Sequence, residues 1–381
     1  MKDIFASSAW TDFCDKNLSR IRTVVLSNID KVLACGTKKL GYGVYECECG
    51  FKKKVCFTCK SRFCSSCGKV AADNWMNKVI SWAPSNIKYR HIVFTIPEEL
   101  RAFLLVYRKK GLDILFKSSS QALLYVFLKR YNCKPGIMSV MHTFGGDIKW
   151  NPHMHVIVTN GGLSLDLESW NSFSFIPYSL LNNSWKYNVV TELRKWGKKK
   201  FCEDKYEKFN RWLNKLYEKK WYINIGKELE SLEFTVKYVG RYAKRPVLAE
   251  TRLQDFKDDM VSFSFKDKKS KKESILTLTV EKFIGRLIRH IPNRYHRMIR
   301  YSGIFASRVK GEFLLKVNNL LCEGQQQLVY LTKPNLNWRE RLIKFTGIDP
   351  LECSSCKKIM FLSSLVFKIK GGGFKVVNFS P

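Results

Sequence analysis

Negative charge is what this chain has least of. Only 33 of its 381 residues are Asp or Glu, against 67 Lys and Arg, for a formal charge of +34. That excess goes far beyond what solubility needs and implies a polyanionic partner, either nucleic acid or an anionic membrane surface. Long apolar runs are missing too, since nothing approaches the ~20 residues that span a bilayer. The start, Met1-Lys2-Asp3-Ile4-Phe5, lacks the apolar core of a signal peptide. Nucleic acid is therefore the expected partner, no membrane is expected, and the cytoplasm is the expected location, at the nucleoid when the protein acts. A disulfide framework does not suit that compartment, so clustered cysteines point to metal. No internal repeat is visible.

What is present is globular: hydrophobic residues make up 45%, and the length suggests two or three domains. The 26 Phe, 16 Tyr and 10 Trp suit a partner bound by base stacking as well as charge, although most belong in a core. The pattern predicts helices over residues 8–33, 69–82, from Pro97 onward, 111–131, 176–222, 232–245 and 279–290. Strands are expected at Tyr89–Ile96, Ile137–Phe144 and Trp150–Val158. Gly145-Gly146-Asp147 forms the turn of the last two, and Gly161-Gly162 closes the hairpin. The segment KDKKSKK reads as a charged connection between two short strands. An α/β (α+β) chain results, divided as a helical zinc-binding module (1–84), a catalytic domain with a central antiparallel sheet flanked by helices (85–310), and a C-terminal helical segment with a cysteine knuckle (311–381).

Seven of the 13 cysteines lie between positions 35 and 67. Cys64-x-x-Cys67 is a knuckle of zinc-ribbon type, with Cys59 just before it. Cys47-Glu48-Cys49-Gly50 is the expected opposite knuckle, one residue shorter than usual. Thiolates so spaced converge on a tetrahedral zinc. The spacing leaves open which four bind: Cys35 is a candidate for a second site completed by Cys353 and Cys356, and Cys56 is a candidate spare. Zinc is expected whether the module recognises DNA or only staples the fold.

Two further constellations carry chemistry. On a strand, His153 and His155 project to one face while Met154 and Val156 go to the other. Two parallel imidazoles make half of a metal site, and His142 on the hairpin partner is a candidate third ligand, with Asn, Gln or a carboxylate as alternatives. Three neutral imidazoles would hold a divalent cation with open positions for phosphate oxygens, as metal-assisted phosphodiester cleavage requires. Tyr238 and Tyr242 share a helix face at i and i+4. A phenol is a poor nucleophile at its usual pKa of about 10, but a nearby cation together with Arg241, Lys244 or Arg245 would favour the phenolate and hold phosphate charge. A lone histidine, or the two tyrosines by themselves, would read as ordinary core or rim residues; the His153/His155 pair in so basic a chain reads as a metal site, and beside it the tyrosines read as part of that site.

Taken in this order, CKSRFCSSCG, RHIVFTIPEELR, HTFGGDIKWNPHMHVIVTNGGLS, YVGRYAKRP, EKFIGRLIRHIP, RMIRYSGIFASR and DPLECSSC resemble the transposases of rolling-circle insertion sequences, within the two-tyrosine class of the HUH endonuclease superfamily. The resemblance runs from about 35 to 361. It implies nicking of single-stranded DNA at element ends and its transfer to target DNA through 5′-phosphotyrosine links, with Tyr238 and Tyr242 as nucleophiles. It implies Mg²⁺ or Mn²⁺ on His153 and His155, and the three-histidine spacing, which also resembles that of conjugative relaxases, supports His142. A plasmid replication initiator or relaxase with the same chemistry, or a non-catalytic zinc protein that recognises DNA, are the alternatives. The short Cys47-x-Cys49 departs from the family pattern.

Overall fold

The computed structural model describes residues 1–229, 231–243, 246–266, 272–321, 337–369 and 371–379. In chain order the strands are β1 Gly41–Glu46, β2 Lys52–Cys56, β3 Tyr89–Phe94, β4 Cys133–Phe144, β5 Trp150–Ser164, β6 Trp170–Ser172, β7 Ile223–Leu229, β8 Leu253–Lys257, β9 Met260–Lys266, β10 Glu273–Thr279, β11 Ile299–Gly303, β12 Phe361–Lys368 and β13 Phe374–Asn378. Two compact units result. One gathers Met1–Asn74, Arg245–Ile291 and Thr332–Pro381; the other gathers Trp75–Lys244 and Pro292–Leu331. This differs from three consecutive domains, because residues 245–291 and the C-terminal segment return to the N-terminal module.

The second unit is built on an antiparallel sheet in the order β11-β4-β5-β3-β7, with β6 on the end of β5. Strands β4 and β5 are apolar on both faces, the mark of a sheet covered on both sides. On one face Ile137, Met141, Met154, Val156, Ile92 and Phe94 pack under the helices Arg108–Tyr131 and Tyr178–Lys200. Trp185, Phe94, Phe116 and Phe127 in that layer are fully buried, and truncating any one to Ala would cost about 3–5 kcal/mol. On the other face Met138, Val140, Ile157 and Tyr89 meet Val236 and Val239 of the helix Leu232–Ala243. The same helix lies close to Met76 of the helix Ser65–Ile80, where a Cβ on Gly240 would sit 2.1 Å from Met76 Sδ.

The expected β4–β5 hairpin is present, but Gly161-Gly162 does not close it. Both glycines lie inside β5, paired with β6. A Cβ on Gly161 would meet the Trp170 indole at 2.6 Å and one on Gly162 the Lys134 backbone at 2.7 Å. The glycines permit close packing rather than a turn.

The first unit opens with the helices Lys2–Ala6, Ser8–Asn17 and Thr23–Leu33. Its four-stranded sheet, β13-β12-β1-β2, joins the two ends of the chain, with Gly41 opposite Phe367 and Glu46 opposite Phe361. The C-terminal segment is therefore not only helical. After the Asn337-capped helix Trp338–Thr346 it supplies two strands. A three-stranded sheet, β10-β9-β8, and the Thr279-capped helix Val280–Ile288 complete the unit. No helix among the described residues is long and apolar enough to cross a membrane.

Candidate active site and zinc centres

Antiparallel register sets the histidines. β4 and β5 pair so that His142 faces His153 and Val140 faces His155, which brings all three rings to the side of the sheet that the Leu232–Ala243 helix covers. They are buried, with relative exposures of 7%, 8% and 6%, where a polar ring needs partners. One ligand nitrogen from each lies within 4.8 Å of the others. His153 Nδ1 donates to the Asn151 carbonyl at 2.7 Å. Its Nε2 is then left with a lone pair, 3.2 Å from His142 Nδ1. Ring nitrogens that converge, with the far nitrogen of His153 tied to a carbonyl, form a donor set suited to a divalent cation.

The sequence reading passed over a fourth histidine. His91 sits inside the apolar run of β3 and looks like core by pattern alone. Its Nε2 lies 2.9 Å from His155 Nδ1, and its ring meets the Tyr238 ring edge-on, centroids 5.2 Å apart. The signal available was its parity: His91 shares a sheet face with Tyr89 and Val93, opposite Ile92 and Phe94. Burial pushes the His91 imidazolium down from its usual range to about 4, so the ring is neutral near pH 7.

This has a stability consequence. The folded pKa lies below the unfolded one, so below about pH 6.5 the unfolded chain takes up a proton that the native ring refuses. Native stability should fall progressively from about pH 6.5 to about pH 4, by about 2–3 kcal/mol between pH 7.5 and 4.5. Urea unfolding of wild type and a His91→Leu variant at the two pH values checks it. A wild-type loss no larger than the variant's would refute the assignment.

Tyr238 is half-buried beside this cluster, and Tyr242 follows one turn later on the same helix. Only the backbone of Arg241 and Tyr242 is described, and Lys244 and Arg245 lie outside the described residues.

The cysteines form two clusters, and the grouping corrects the sequence reading. Cys35 joins Cys59, Cys64 and Cys67, while Cys47 and Cys49 join Cys353 and Cys356. In the first, Cys35–Cys67 and Cys59–Cys67 Sγ distances are 3.6 Å, and Cys64–Cys35 is 3.9 Å. In the second, Cys47–Cys356 is 3.3 Å and Cys49–Cys353 is 3.7 Å. Four thiolates about a tetrahedral zinc stand about 3.8 Å apart, given Zn–S bonds of ~2.3 Å, whereas disulfide sulfurs would lie ~2.05 Å apart. Cys56 is in neither cluster. Hydrogen bonding from Cys59 draws the Cys64 thiol down to about 5. The Cys356 backbone N–H does most to draw Cys353 down to about 6. Each cluster thus holds a ready thiolate, the form that binds metal.

Residues 5–96 match a family described as "Transposase zinc-binding domain", and residues 136–312 one described as "Putative transposase". Along 96% of its length the chain is 30% identical to the "Transposase for insertion sequence element IS801" of Pseudomonas savastanoi pv. phaseolicola, of which it covers 90%. The chain belongs to the insertion-sequence transposases. A second relative of this transposase, the "Putative transposase y4qJ" of Sinorhizobium fredii (strain NBRC 101917 / NGR234), is 27% identical over 87% of each chain. No solved structure matches. The transposase keeps both cysteine clusters in one unit and the histidines and Tyr238 in the other. Cys353 and Cys356 fall beyond both matched families.

Proposed function

We propose that this transposase is a rolling-circle enzyme of the HUH type, which nicks and rejoins single-stranded DNA at insertion-sequence ends through 5′-phosphotyrosine intermediates. The observation that carries the reading is the contact chain His155–His91–Tyr238, which brings a candidate nucleophile to the face that holds the candidate metal ligands. Membership of the transposases sets aside the replication-initiator and relaxase alternative, and the full set of histidines and tyrosines argues against an inert DNA-recognition protein.

His142, His153 and His155 would hold Mn²⁺ or Mg²⁺, which when bound polarises a phosphate oxygen and fixes the scissile phosphate for in-line attack. The phenol oxygen of Tyr238 or Tyr242 forms a bond to phosphorus while the P–O3′ bond breaks. The phenol gives up its proton, and the departing 3′ oxygen takes one up to become a hydroxyl. Rejoining is the same exchange in reverse, with a 3′-hydroxyl attacking the phosphotyrosine and the phenol leaving. One ester replaces another at each step, so no nucleotide cofactor is required. Arg241, Lys244 and Arg245 follow the nucleophile closely enough in sequence to hold flanking phosphates. The Tyr, Trp and Phe content together with the charge favours single-stranded over duplex substrate.

Two zinc ions complete the reading, one on Cys35, Cys59, Cys64 and Cys67 and one on Cys47, Cys49, Cys353 and Cys356.

The test is an end-labelled single-stranded oligonucleotide carrying the element end, incubated with Mn²⁺, Mg²⁺ or EDTA. A covalent protein–DNA adduct with a metal and none with EDTA is expected. All-nitrogen donors suit Mg²⁺ poorly, since it prefers oxygen ligands and keeps its waters, so Mn²⁺ should support faster adduct formation at equal concentration. No adduct on any single-stranded end sequence would sink the proposal, and faster reaction with Mg²⁺ would count against a three-imidazole site.

A further inference from the structure

The two rings His91 and His155 lie only 4° from parallel, with centroids 5.1 Å apart. Parallel rings whose nitrogens approach to 2.9 Å while their centroids stay that far apart meet edge to edge in one plane, as a hydrogen bond requires, not face to face. One proton lies between His91 Nε2 and His155 Nδ1, and its owner decides what His155 can do. If His91 donates, the proton of neutral His155 sits on Nε2, where it blocks that nitrogen as a ligand. If His155 donates, its Nε2 carries a bare lone pair. His153 shows the second arrangement: its Nδ1 donates to the Asn151 carbonyl, freeing Nε2 toward His142.

We propose that His91 is a positioning residue that accepts the Nδ1 proton of His155, fixes His155 as an Nε2 ligand, and seats the Tyr238 ring against its own. The inference rests on the metal-site reading given under Proposed function. Metal-bound histidines commonly donate their second N–H to a carboxylate or a carbonyl. Here the acceptor is a neutral imidazole. A carboxylate in its place would bring a negative charge to a pocket that must admit a DNA phosphate, and the repulsion would act in a buried, low-dielectric setting. A neutral ring orients the ligand without that cost. It also packs against the phenol ring, so one side chain sets both the ligand and the nucleophile's ring.

The experiment uses the full-length, zinc-loaded protein in three forms: wild type, His91→Gln and His91→Leu. Glutamine can place its amide oxygen near the Nε2 position and still accept the bond; leucine fills similar volume and cannot. Mn²⁺ affinity is read by electron paramagnetic resonance, with His153→Ala as the control for binding at this site. The His155 tautomer is read from ¹⁵N shifts of histidine-labelled protein without Mn²⁺. Wild type is expected to show His155 protonated on Nδ1. His91→Leu should mix the tautomers and weaken Mn²⁺ about 10–100-fold, the usual effect of losing such a partner. His91→Gln should stay within about threefold of wild type. Unchanged affinity and tautomer in His91→Leu would overturn the proposal, and so would equal weakening in Gln and Leu, which would mark a purely structural role. If wild type and His153→Ala bind Mn²⁺ alike, the metal-site reading itself fails, whereas a wild-type His155 protonated on Nε2 rejects only the role of His91.

Discussion

A Tyr238→Phe, Tyr242→Phe double variant is expected to form no covalent adduct with single-stranded DNA, with cleavage down by a factor on the order of 10⁴ or more, as when other enzymes lose their nucleophile. The substitution removes two oxygens and little else. Phenylalanine keeps the ring that meets His91 edge-on and packs against the buried cluster on that face of the sheet, so the fold and metal affinity should hold. The single variants are expected to separate the two roles. Among the described side chains Tyr238 is the phenol whose ring meets His91, so Tyr238→Phe is expected to suppress the first cut more than Tyr242→Phe does, while the latter should still form an adduct and fail in later transfer. Denaturing gels of labelled oligonucleotide with each variant decide this. An adduct that persists in the double variant would mean that neither phenol is the nucleophile.

The second large effect concerns zinc. Wild type should hold two equivalents by mass spectrometry of the metal. Cys64→Ser and Cys353→Ser should each fall to one, because each removes a thiolate from a different cluster. Structural zinc supplies roughly 10 kcal/mol or more of folding free energy in small domains, which exceeds the whole stability of many of them. A strong chelator should therefore unfold the cysteine-bearing unit. The Cys353→Ser variant should free β12 and β13 to proteolysis, since the Cys47/Cys49 pair would lose its anchor to the strands that follow Cys356. The unit that carries the histidines holds none of these cysteines, so its histidine cluster should survive chelation of thiol-bound zinc. Two equivalents retained in Cys353→Ser would break the assignment.

Most elements were legible because their signals are local. The β4–β5 hairpin follows from two largely apolar, β-branched runs around Gly145-Gly146-Asp147. The Thr279 cap announces the helix after it, and the His153/His155 parity follows from the strand period alone. What could not be read was non-local. Cysteine spacing suggested that Cys47 and Cys49 face Cys64 and Cys67, yet β1 pairs with β12 as well as β2, and that pairing carries the knuckle to Cys353 and Cys356. Nothing near position 47 encodes a partner more than 300 residues away. Gly161-Gly162 misled for the opposite reason: a glycine pair usually turns a chain, but here it makes room for Trp170 and for the neighbouring backbone. His91 was hidden by its setting: strand parity separates it from Ile92 and Phe94, but only the register with β5 puts it beside His155.

The second cysteine cluster also imposes an order of events during synthesis. Cys47 and Cys356 are separated by 309 positions, which a ribosome adding about 5–20 residues per second takes roughly 15–60 s to cover. The catalytic unit, which extends to Leu331, is translated before Cys353 emerges. Each nascent molecule therefore has all its histidines and tyrosines made while Cys47 and Cys49 still wait for their partners. A message broken between these points would yield a polypeptide with every candidate catalytic residue but an open N-terminal knuckle.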